Sequence, residues 1–200
     1  MIIHRSRPFS LREWLIQTRL TIYEIEDRVS YMYGELPLND FERLVILLED
    51  RRFLRHRGID WRSVARVLVL VLLRPKTGGA STIEMQLVRT ITRDRRVSLA
   101  RKLDEMIVGR LLNFHFNKLA LLRGYLRIAY FGYGIRGCEE ASMRLYGKPT
   151  SILSVDEAAV VAATLVYPIP KAPSEAWRAK VRRRADYGIR LLGKIGHRLG

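Results

Sequence analysis

Residues 49–58 read EDRRFLRHRG, and this stretch is the most informative one for the fold. Two acids open this stretch, and an aromatic ring, an imidazole and a glycine follow. If one helix runs through it, Glu49, Phe53 and His56 lie at i, i+4 and i+7 and share one face. An acid beside an apolar ring is partly desolvated, which suits a general base. The alternative interpretation is a solvated acidic helix end that pairs with neighbouring arginines.

A second informative stretch, residues 78–89, reads GGASTIEMQLVR. Ser81 or Thr82 can cap a helix here, and the amides of a first helical turn point towards an anion. Thr82, Gln86 and Arg89 then fall on one face. A hydroxyl, an amide and a guanidinium suit a phosphate or sugar pocket better than a core. An ordinary capped surface helix explains the same pattern without a ligand.

A third stretch, residues 101–105, reads RKLDE. Arg101 and Glu105 are spaced i, i+4 and can form an ion pair, while Lys102 projects on a neighbouring face. Such a pair can simply decorate a helix surface. Alternatively, a carboxylate held among cations keeps the basic groups in place or holds a metal ion near a pyrophosphate.

Helical periodicity dominates the rest of the chain, so we expect one mostly α domain. Ser10 is a candidate N-cap for the first helix, and Asn39 or Asp40 for the second. Helices are expected at about 10–33, 40–55, 60–74, 81–92, 98–116, 118–130, 137–146, 155–166 and 174–198.

The composition narrows the function classes. The chain has 200 residues, 48% of them hydrophobic, which excludes a disordered tail protein. A formal net charge of +16 favours phosphate-rich polymers or anionic lipid headgroups as partners. Cys138 is the only cysteine, so no intramolecular disulfide can form.

Membrane insertion is not predicted from the sequence. The uncharged runs at 67–73 and 158–170 are shorter than the roughly 20 apolar residues that span a bilayer. Charges interrupt the N-terminal segment, which does not resemble a secretory signal. Two apolar stretches can either face the core or rest in a membrane interface. They are the run 67–73 and the N-terminal stripe of Leu11, Trp14, Leu15, Ile22 and Ile25.

In order, the three stretches resemble the motifs of the family 51 glycosyltransferases, EDxxFxxHxG, GASTIxxQ and RKxxE. This family comprises the transglycosylase domains of bifunctional penicillin-binding proteins and their monofunctional relatives. Residues 118–126 are similar to its KxxILxxYLN string, and residues 146–148 and 156–163 to its later motifs. The resemblance covers roughly residues 38–192. We therefore expect an N-terminal amphipathic helix and linker at 1–37 and a transglycosylase-like catalytic domain at 38–200.

The resemblance implies a lysozyme-like helical fold and a peptidoglycan glycosyltransferase that polymerises lipid II with inversion, releasing undecaprenyl pyrophosphate. By position, Glu49 would be the general base and Glu105 the second essential glutamate. The matching substrate-binding positions are Asp50, Phe53, His56, Ser81, Thr82, Gln86, Arg89, Arg101 and Lys102. Mg²⁺ or Mn²⁺ could accompany the pyrophosphate, although no dedicated protein metal site is expected.

The resemblance also implies partners and a location. The partners would be lipid II, the growing glycan strand, an anionic membrane surface and a transpeptidase or other cell-wall synthesis protein, with no nucleic acid. The location would be the outer, periplasmic face of the bacterial cytoplasmic membrane.

Several residues depart from the family pattern. Glu84 stands where the family has Thr, and Arg127 replaces the Asn of its YLN string. Asn113 and Ala120 replace acids, and the last motif is matched loosely by Arg184 and Ile189. Three alternatives therefore stay open, namely a divergent and weakly active paralogue, a lytic muramidase that uses the same glutamate, and a basic nucleic-acid-binding protein.

Overall fold

The computed structural model describes residues 10–29, 36–62, 64–65, 81–94 and 98–199, and most of these residues are helical. The helices are α1 (Leu11–Val29), α2 (Asp40–Glu49), α3 (Ile83–Thr92), α4 (Leu99–His115), α5 (Lys118–Ile128), α6 (Cys138–Tyr146), α7 (Val155–Ala163) and α8 (Glu175–Ile195). Short 3-10 helices cover Phe53–Arg55, Thr150–Ile152 and Gly196–Leu199. The predicted mostly α fold class is confirmed.

Polar side chains begin most of these helices. The side chain of Asn39 accepts a hydrogen bond from the amide of Glu42 at 2.8 Å, and the carboxylate of Glu42 accepts one from the amide of Asn39. This reciprocal capping box satisfies two amides that would otherwise lack partners. Ser10 forms the same pair of bonds with Glu13 at the start of α1. Both predicted N-caps are therefore confirmed.

The described residues form two compact units. The first, called unit 1, contains those within Met1–Gly34 and Arg55–Tyr125. The second, called unit 2, contains those within Glu35–Leu54 and Leu126–Gly200. The predicted boundary between residues 37 and 38 stays a prediction.

Unit 1 is built around α3 and α4, which pack against each other and against α1. The indole Nε1 of Trp14 donates to the carboxylate of Asp104 at 2.5 Å, which ties α1 to α4. Of the N-terminal apolar stripe, Ile25 is fully buried whereas Leu15 is exposed. That stripe is therefore divided between core and surface.

Two glycine-dependent contacts hold α4 inside unit 1. Gly58 has a φ of +85°, and a Cβ placed there would lie 2.3 Å from the carbonyl oxygen of Gly109 on α4. A Cβ on Gly109 would in turn lie 3.3 Å from the Cβ of Glu84 on α3. Only glycine combines this positive φ with so close a backbone approach.

Unit 2 is built around α2, α7 and α8, which pack against one another. A two-stranded antiparallel sheet joins β1 (Tyr130–Gly132) to β2 (Ile135–Arg136) before α6 begins. Because the chain enters β1 at Tyr130, α5 ends at Ile128, two residues earlier than expected.

The second helix also ends earlier than predicted. We expected it to reach about residue 55, but α2 ends at Glu49, and Asp50 leaves the helical region with φ −153° and ψ 77°. The amide of Phe53 then donates to the carbonyl of Asp50 in a tight turn. The expectation that Glu49, Phe53 and His56 share one helical face is therefore wrong. Aspartate favours such helix ends because its side chain competes with the helical backbone bonds.

Among the described residues, no helix combines the length and apolar character needed to cross a bilayer. The apolar run 67–73 lies outside the described residues. Of the helix expected at 60–74, residues 60–62 and 64–65 are described, and the four that follow Asp60 are helical.

Candidate functional site

Glu49, the expected general base, is the last residue of α2 in unit 2. Its side chain is 10% exposed, and its Oε1 accepts a hydrogen bond from Nη2 of Arg184 at 2.9 Å. The same nitrogen of Arg184 donates to the carbonyl oxygen of Leu48 at 2.9 Å. The carboxylate is therefore held by an arginine from α8.

Two expected site residues follow within four residues of Glu49 and are buried in unit 2. Asp50 caps the end of α2, because its amide donates to the carbonyl of Ile46 at 2.9 Å. Phe53 opens the following 3-10 helix and is fully buried. Both residues shape the backbone beside Glu49, and their contact with a substrate stays a prediction.

Unit 1 contains a buried carboxylate surrounded by cations. Glu105 is 2% exposed and accepts two hydrogen bonds from Arg89, from Nε at 2.8 Å and from Nη2 at 2.7 Å. Arg101, one turn earlier on α4, also donates to this carboxylate. The predicted pair of Arg101 and Glu105 thus forms, and Arg89 of α3 joins it. The three side chains therefore form a network between two helices and not an isolated ion pair on the surface of one helix.

Lys102 and Ser81 extend this network. The ammonium of Lys102 donates to the hydroxyl of Ser81 at 2.6 Å, and Nη2 of Arg89 lies 3.4 Å from the same oxygen. Burial lowers the pKa of Lys102, and the neighbouring charges of Arg89 and Arg101 add to this effect, while Glu105 opposes it. The hydrogen bond to Glu105 raises the pKa of Arg89. We call Ser81, Arg89, Arg101, Lys102 and Glu105 the basic cluster.

Thr82 and Gln86 lie beside the basic cluster, but their side chains form hydrogen bonds to other residues of unit 1. Thr82 is buried, caps α3 through the amide of Met85, and donates its hydroxyl proton to the carbonyl of Gly58 at 2.8 Å. Gln86 accepts a hydrogen bond from the hydroxyl of Tyr125 at 2.6 Å. These bonds fix α3, and the predicted substrate contacts of both residues stay predictions. His56 is also buried in unit 1, and its predicted role is likewise untested.

A family model for transglycosylases matches residues 17–192. The chain belongs to the transglycosylase family. The family expected from the three motifs is therefore confirmed. The match begins inside α1, earlier than the stretch 38–192 over which the motifs resemble the family.

Several relatives resemble this transglycosylase domain. Penicillin-binding protein 1F of Bacillus subtilis (strain 168) is 37% identical over 157 residues, which cover 74% of this chain and 21% of that protein. Penicillin-binding protein 1A of Rickettsia typhi is 33% identical over 183 residues, 88% of this chain and 22% of that protein. The biosynthetic peptidoglycan transglycosylase of Pasteurella multocida is 31% identical over 205 residues, 98% of this chain and 81% of that protein. The chain spans about a fifth of the length of these penicillin-binding proteins.

Glu84, a departure from the family pattern, does not add a charge to the face of Thr82 and Gln86. It is fully buried, and its Oε1 accepts hydrogen bonds from Lys118 at 2.5 Å and from Asn113 at 3.1 Å. The ammonium of Lys118 balances the buried carboxylate, because an unpaired charge in such a place is costly. In this transglycosylase domain, Glu84 is therefore a buried carboxylate paired with Lys118, and it places no exposed charge beside Thr82 and Gln86.

A divalent ion does not fit Glu105 directly. Metal ions of this class bind carboxylate oxygens, and guanidinium groups already engage both oxygens of Glu105. An ion bound here would compete with these guanidinium groups for the same oxygens.

Arg184 is a site residue whose role the sequence alone did not predict. It matches the last family motif only loosely, yet it contacts the expected base. The signal available in the sequence was its place in the basic run of α8, which equally predicts a solvated helix face. The contact depends on how α8 packs against α2, which the spacing of residues along one helix does not reveal.

Proposed function

We propose that this domain is a peptidoglycan glycosyltransferase that polymerises lipid II into β-1,4 glycan strands. The family match and the relatives named biosynthetic peptidoglycan transglycosylase support this reaction class. We further propose that it acts at the outer face of the bacterial cytoplasmic membrane, on lipid II and the growing strand, beside a transpeptidase partner.

The observation that carries the proposal is the basic cluster. A buried glutamate orients two guanidinium groups, and a lysine ammonium shares a serine hydroxyl with one of them. Pyrophosphate is a good leaving group, so the protein mainly has to neutralise the charge that develops on it. Guanidinium and ammonium groups form strong charge-assisted hydrogen bonds to phosphate oxygens. This arrangement supports a role for Glu105 in holding the cations that receive the donor pyrophosphate.

Glu49 acts on the acceptor in the proposed reaction. Its carboxylate removes the proton of the 4-hydroxyl of the acceptor N-acetylglucosamine, and that oxygen attacks the anomeric carbon of the donor's muramyl sugar. The bond from this carbon to the pyrophosphate oxygen breaks, and its electron pair leaves with undecaprenyl pyrophosphate. A single displacement inverts the anomeric configuration, so an α-linked donor yields a β bond.

The basic cluster also favours polymerisation over lysis. A muramidase protonates the oxygen of an uncharged glycosidic bond and needs no set of cations for a departing pyrophosphate. Nucleic acid would be attracted by the net charge of +16, but a buried glutamate that orients two guanidinium groups suits a small, defined anion. Mg²⁺ or Mn²⁺ belongs to the proposal only as a companion of the substrate pyrophosphate.

A membrane surface is the proposed setting for this reaction. Four large apolar side chains on α4 are exposed, and three of them recur every fourth residue. They are Leu99, Leu103, Ile107 and Phe114. An apolar helix face on a protein of high positive charge suits an anionic lipid interface. Flotation with vesicles of anionic lipid at low salt tests this part. A domain that does not float with the vesicles would contradict it.

The decisive experiment is a gel assay of labelled lipid II with the full chain, detergent and a divalent ion. We expect glycan polymer from the wild type, none from Glu49→Gln, and weaker donor binding for Arg101→Ala. Circular dichroism should show that Glu49→Gln keeps its helical fold. A wild type that makes no polymer would contradict the proposal, and release of soluble muropeptides from purified cell walls would favour the muramidase.

A further inference from the structure

One arginine nitrogen joins two acceptors at the end of α2. Nη2 of Arg184 lies 2.9 Å from the backbone oxygen of Leu48 and 2.9 Å from Oε1 of Glu49. The backbone oxygen is fixed by the helix, so the shared donor fixes the carboxylate relative to the helix end. A charge-assisted bond of this kind restricts the rotamers of a glutamate far more than solvent does.

The sequences of the two helices produce this contact. The last turn of α2 contains no basic residue, so its partly negative end receives its cations from elsewhere. On α8, Gly188 lies one turn after Arg184 and faces Leu44 and Leu48 of α2. A Cβ at this position would lie 3.3 Å and 3.2 Å from their side-chain carbons. The absence of a side chain at Gly188 lets α8 approach α2 closely enough for Arg184 to reach Glu49.

We propose that Arg184 is a positioning residue for the general base, holding the Glu49 carboxylate in the orientation in which it takes the acceptor proton. The inference rests on the proposed function, in which Glu49 is that base. Arg184 acts through Glu49 and not on the reacting atoms. A misplaced base slows the chemical step while the sugar and pyrophosphate contacts stay intact, so the effect falls on kcat and not on KM.

The chain offers a matched control at the same helix end. Arg51 donates its Nε to the carbonyl of Leu47 at 3.2 Å and also bonds to the hydroxyl of Tyr187. Like Arg184, it satisfies a terminal carbonyl of α2 and links α2 to α8. Its hydrogen bonds go to Leu47 and Tyr187 and not to Glu49. Replacing Arg51 therefore tests support of the helix end without removing a contact of the Glu49 carboxylate.

The test compares Arg184→Met, Arg184→Lys and Arg51→Met in the full chain, with labelled lipid II as substrate. We expect Arg184→Met to lower kcat by roughly 10- to 100-fold with KM changed by less than about 2-fold. Both bonds of Arg184 come from one nitrogen, so a lysine ammonium can replace them, and Arg184→Lys should keep most of the wild-type kcat. Arg51→Met should keep kcat near the wild-type value.

Within this comparison of variants, three results would overturn the inference. The first is an equal loss of kcat in Arg184→Met and Arg51→Met, which would make Arg184 a support of the helix end. The second is a rise in KM alone, which would make it a direct substrate ligand. The third is an Arg184→Lys variant with less than about a tenth of the wild-type kcat. This last result decides the matter even if Arg184→Met fails to fold, which circular dichroism would reveal.

The same assay separates this inference from the proposed function. A wild type that makes no polymer, or a fully active Glu49→Gln variant, would overturn the assignment of the base and the inference with it. An inactive Glu49→Gln beside a fully active Arg184→Met would overturn the positioning role alone.

Discussion

Arg89 and Glu105 meet side by side, with Nε and Nη2 of the guanidinium 2.8 and 2.7 Å from the two carboxylate oxygens. This bidentate geometry uses the planar fork of arginine, which lysine cannot reproduce. Because the two residues belong to α3 and α4, the pair also fixes the spacing of these helices. The cations offered to a substrate and the packing of unit 1 therefore depend on the same carboxylate.

The first prediction concerns the removal of this carboxylate charge. Glu105→Gln should lower the free energy of unfolding by roughly 1.5–3 kcal/mol, because two guanidinium groups lose a buried anionic acceptor. Urea unfolding followed by circular dichroism measures the change. The matched control is Glu157→Gln, which removes the partly exposed pair with Lys148 and can keep the capping box of α7. This control should cost clearly less than Glu105→Gln, because water screens the pair, and an equal loss in both variants would contradict the prediction.

The second prediction concerns Lys102. Burial and the charges of Arg89 and Arg101 lower its pKa below the usual value of 10.5. As the pH rises through this lowered pKa, the ammonium loses its proton and its attraction for a phosphate. We expect the KM for lipid II to rise with pH before an ordinary lysine would titrate. Lys102→Arg should delay this rise, since arginine stays charged, and an unchanged pH dependence in that variant would contradict the assignment.

The same shift has a consequence for stability. Between the lowered pKa in the folded state and the higher pKa in the unfolded state, the unfolded chain binds more protons at Lys102. The contribution of Lys102 to the free energy of unfolding therefore increases as the pH rises through this window. Comparison of the wild type with Lys102→Met over the same pH range isolates this contribution, which should vanish in the variant.

The third prediction concerns the buried pair of Glu84 and Lys118. Lys118→Met should destabilise unit 1 by about 3–5 kcal/mol, because it leaves the Glu84 carboxylate buried without its balancing charge. The double variant Glu84→Gln with Lys118→Met removes both charges, and it should be more stable than Lys118→Met alone. Thermal unfolding of the two variants decides, and a double variant that is less stable than the single one would contradict the pairing.

The fourth prediction concerns Cys138, the only cysteine in the chain. Burial, with a smaller contribution from Glu139, raises the pKa of its thiol to about 12. The thiolate is the reactive form, so at about pH 8 the folded protein should react with iodoacetamide roughly 1,000-fold more slowly than the urea-unfolded chain. Mass spectrometry of the alkylated protein measures both rates. Similar rates in the two states would show that the thiol is not protected.

The helices were largely predictable where the sequence marks their beginnings. Ser10, Asn39, Ser98 and Ser174 each cap a helix close to where it was expected, since their side chains offer an acceptor to unpaired amides. The end of α2 was not predictable in this way, because its apolar and charged pattern continues past Glu49. The carbonyls of Leu47 and Leu48 are satisfied by the side chains of Arg51 and Arg184.

The basic cluster was predictable in part. The spacing of Arg101 and Glu105 indicated their pairing, and the motif resemblance brought Arg89 and Lys102 into the same set. Geometry along one helix could not show that Glu105 is buried or that Arg89 binds both of its oxygens, since these facts depend on how α3 packs against α4. For the same reason, the pairing of Glu84 with Lys118 was missed.

The close approach of Gly58 to α4 restricts which substitutions position 58 can tolerate. A methyl group at position 58 would lie 2.3 Å from the carbonyl oxygen of Gly109, and Gly109 also packs closely against Glu84 of α3. To relieve this clash, α4 would have to move away from Gly58, and Arg101 and Glu105 would move with it. A residue with no functional group of its own therefore comes under the same selection as the cations, and a survey of natural variants should find position 58 as intolerant as position 105.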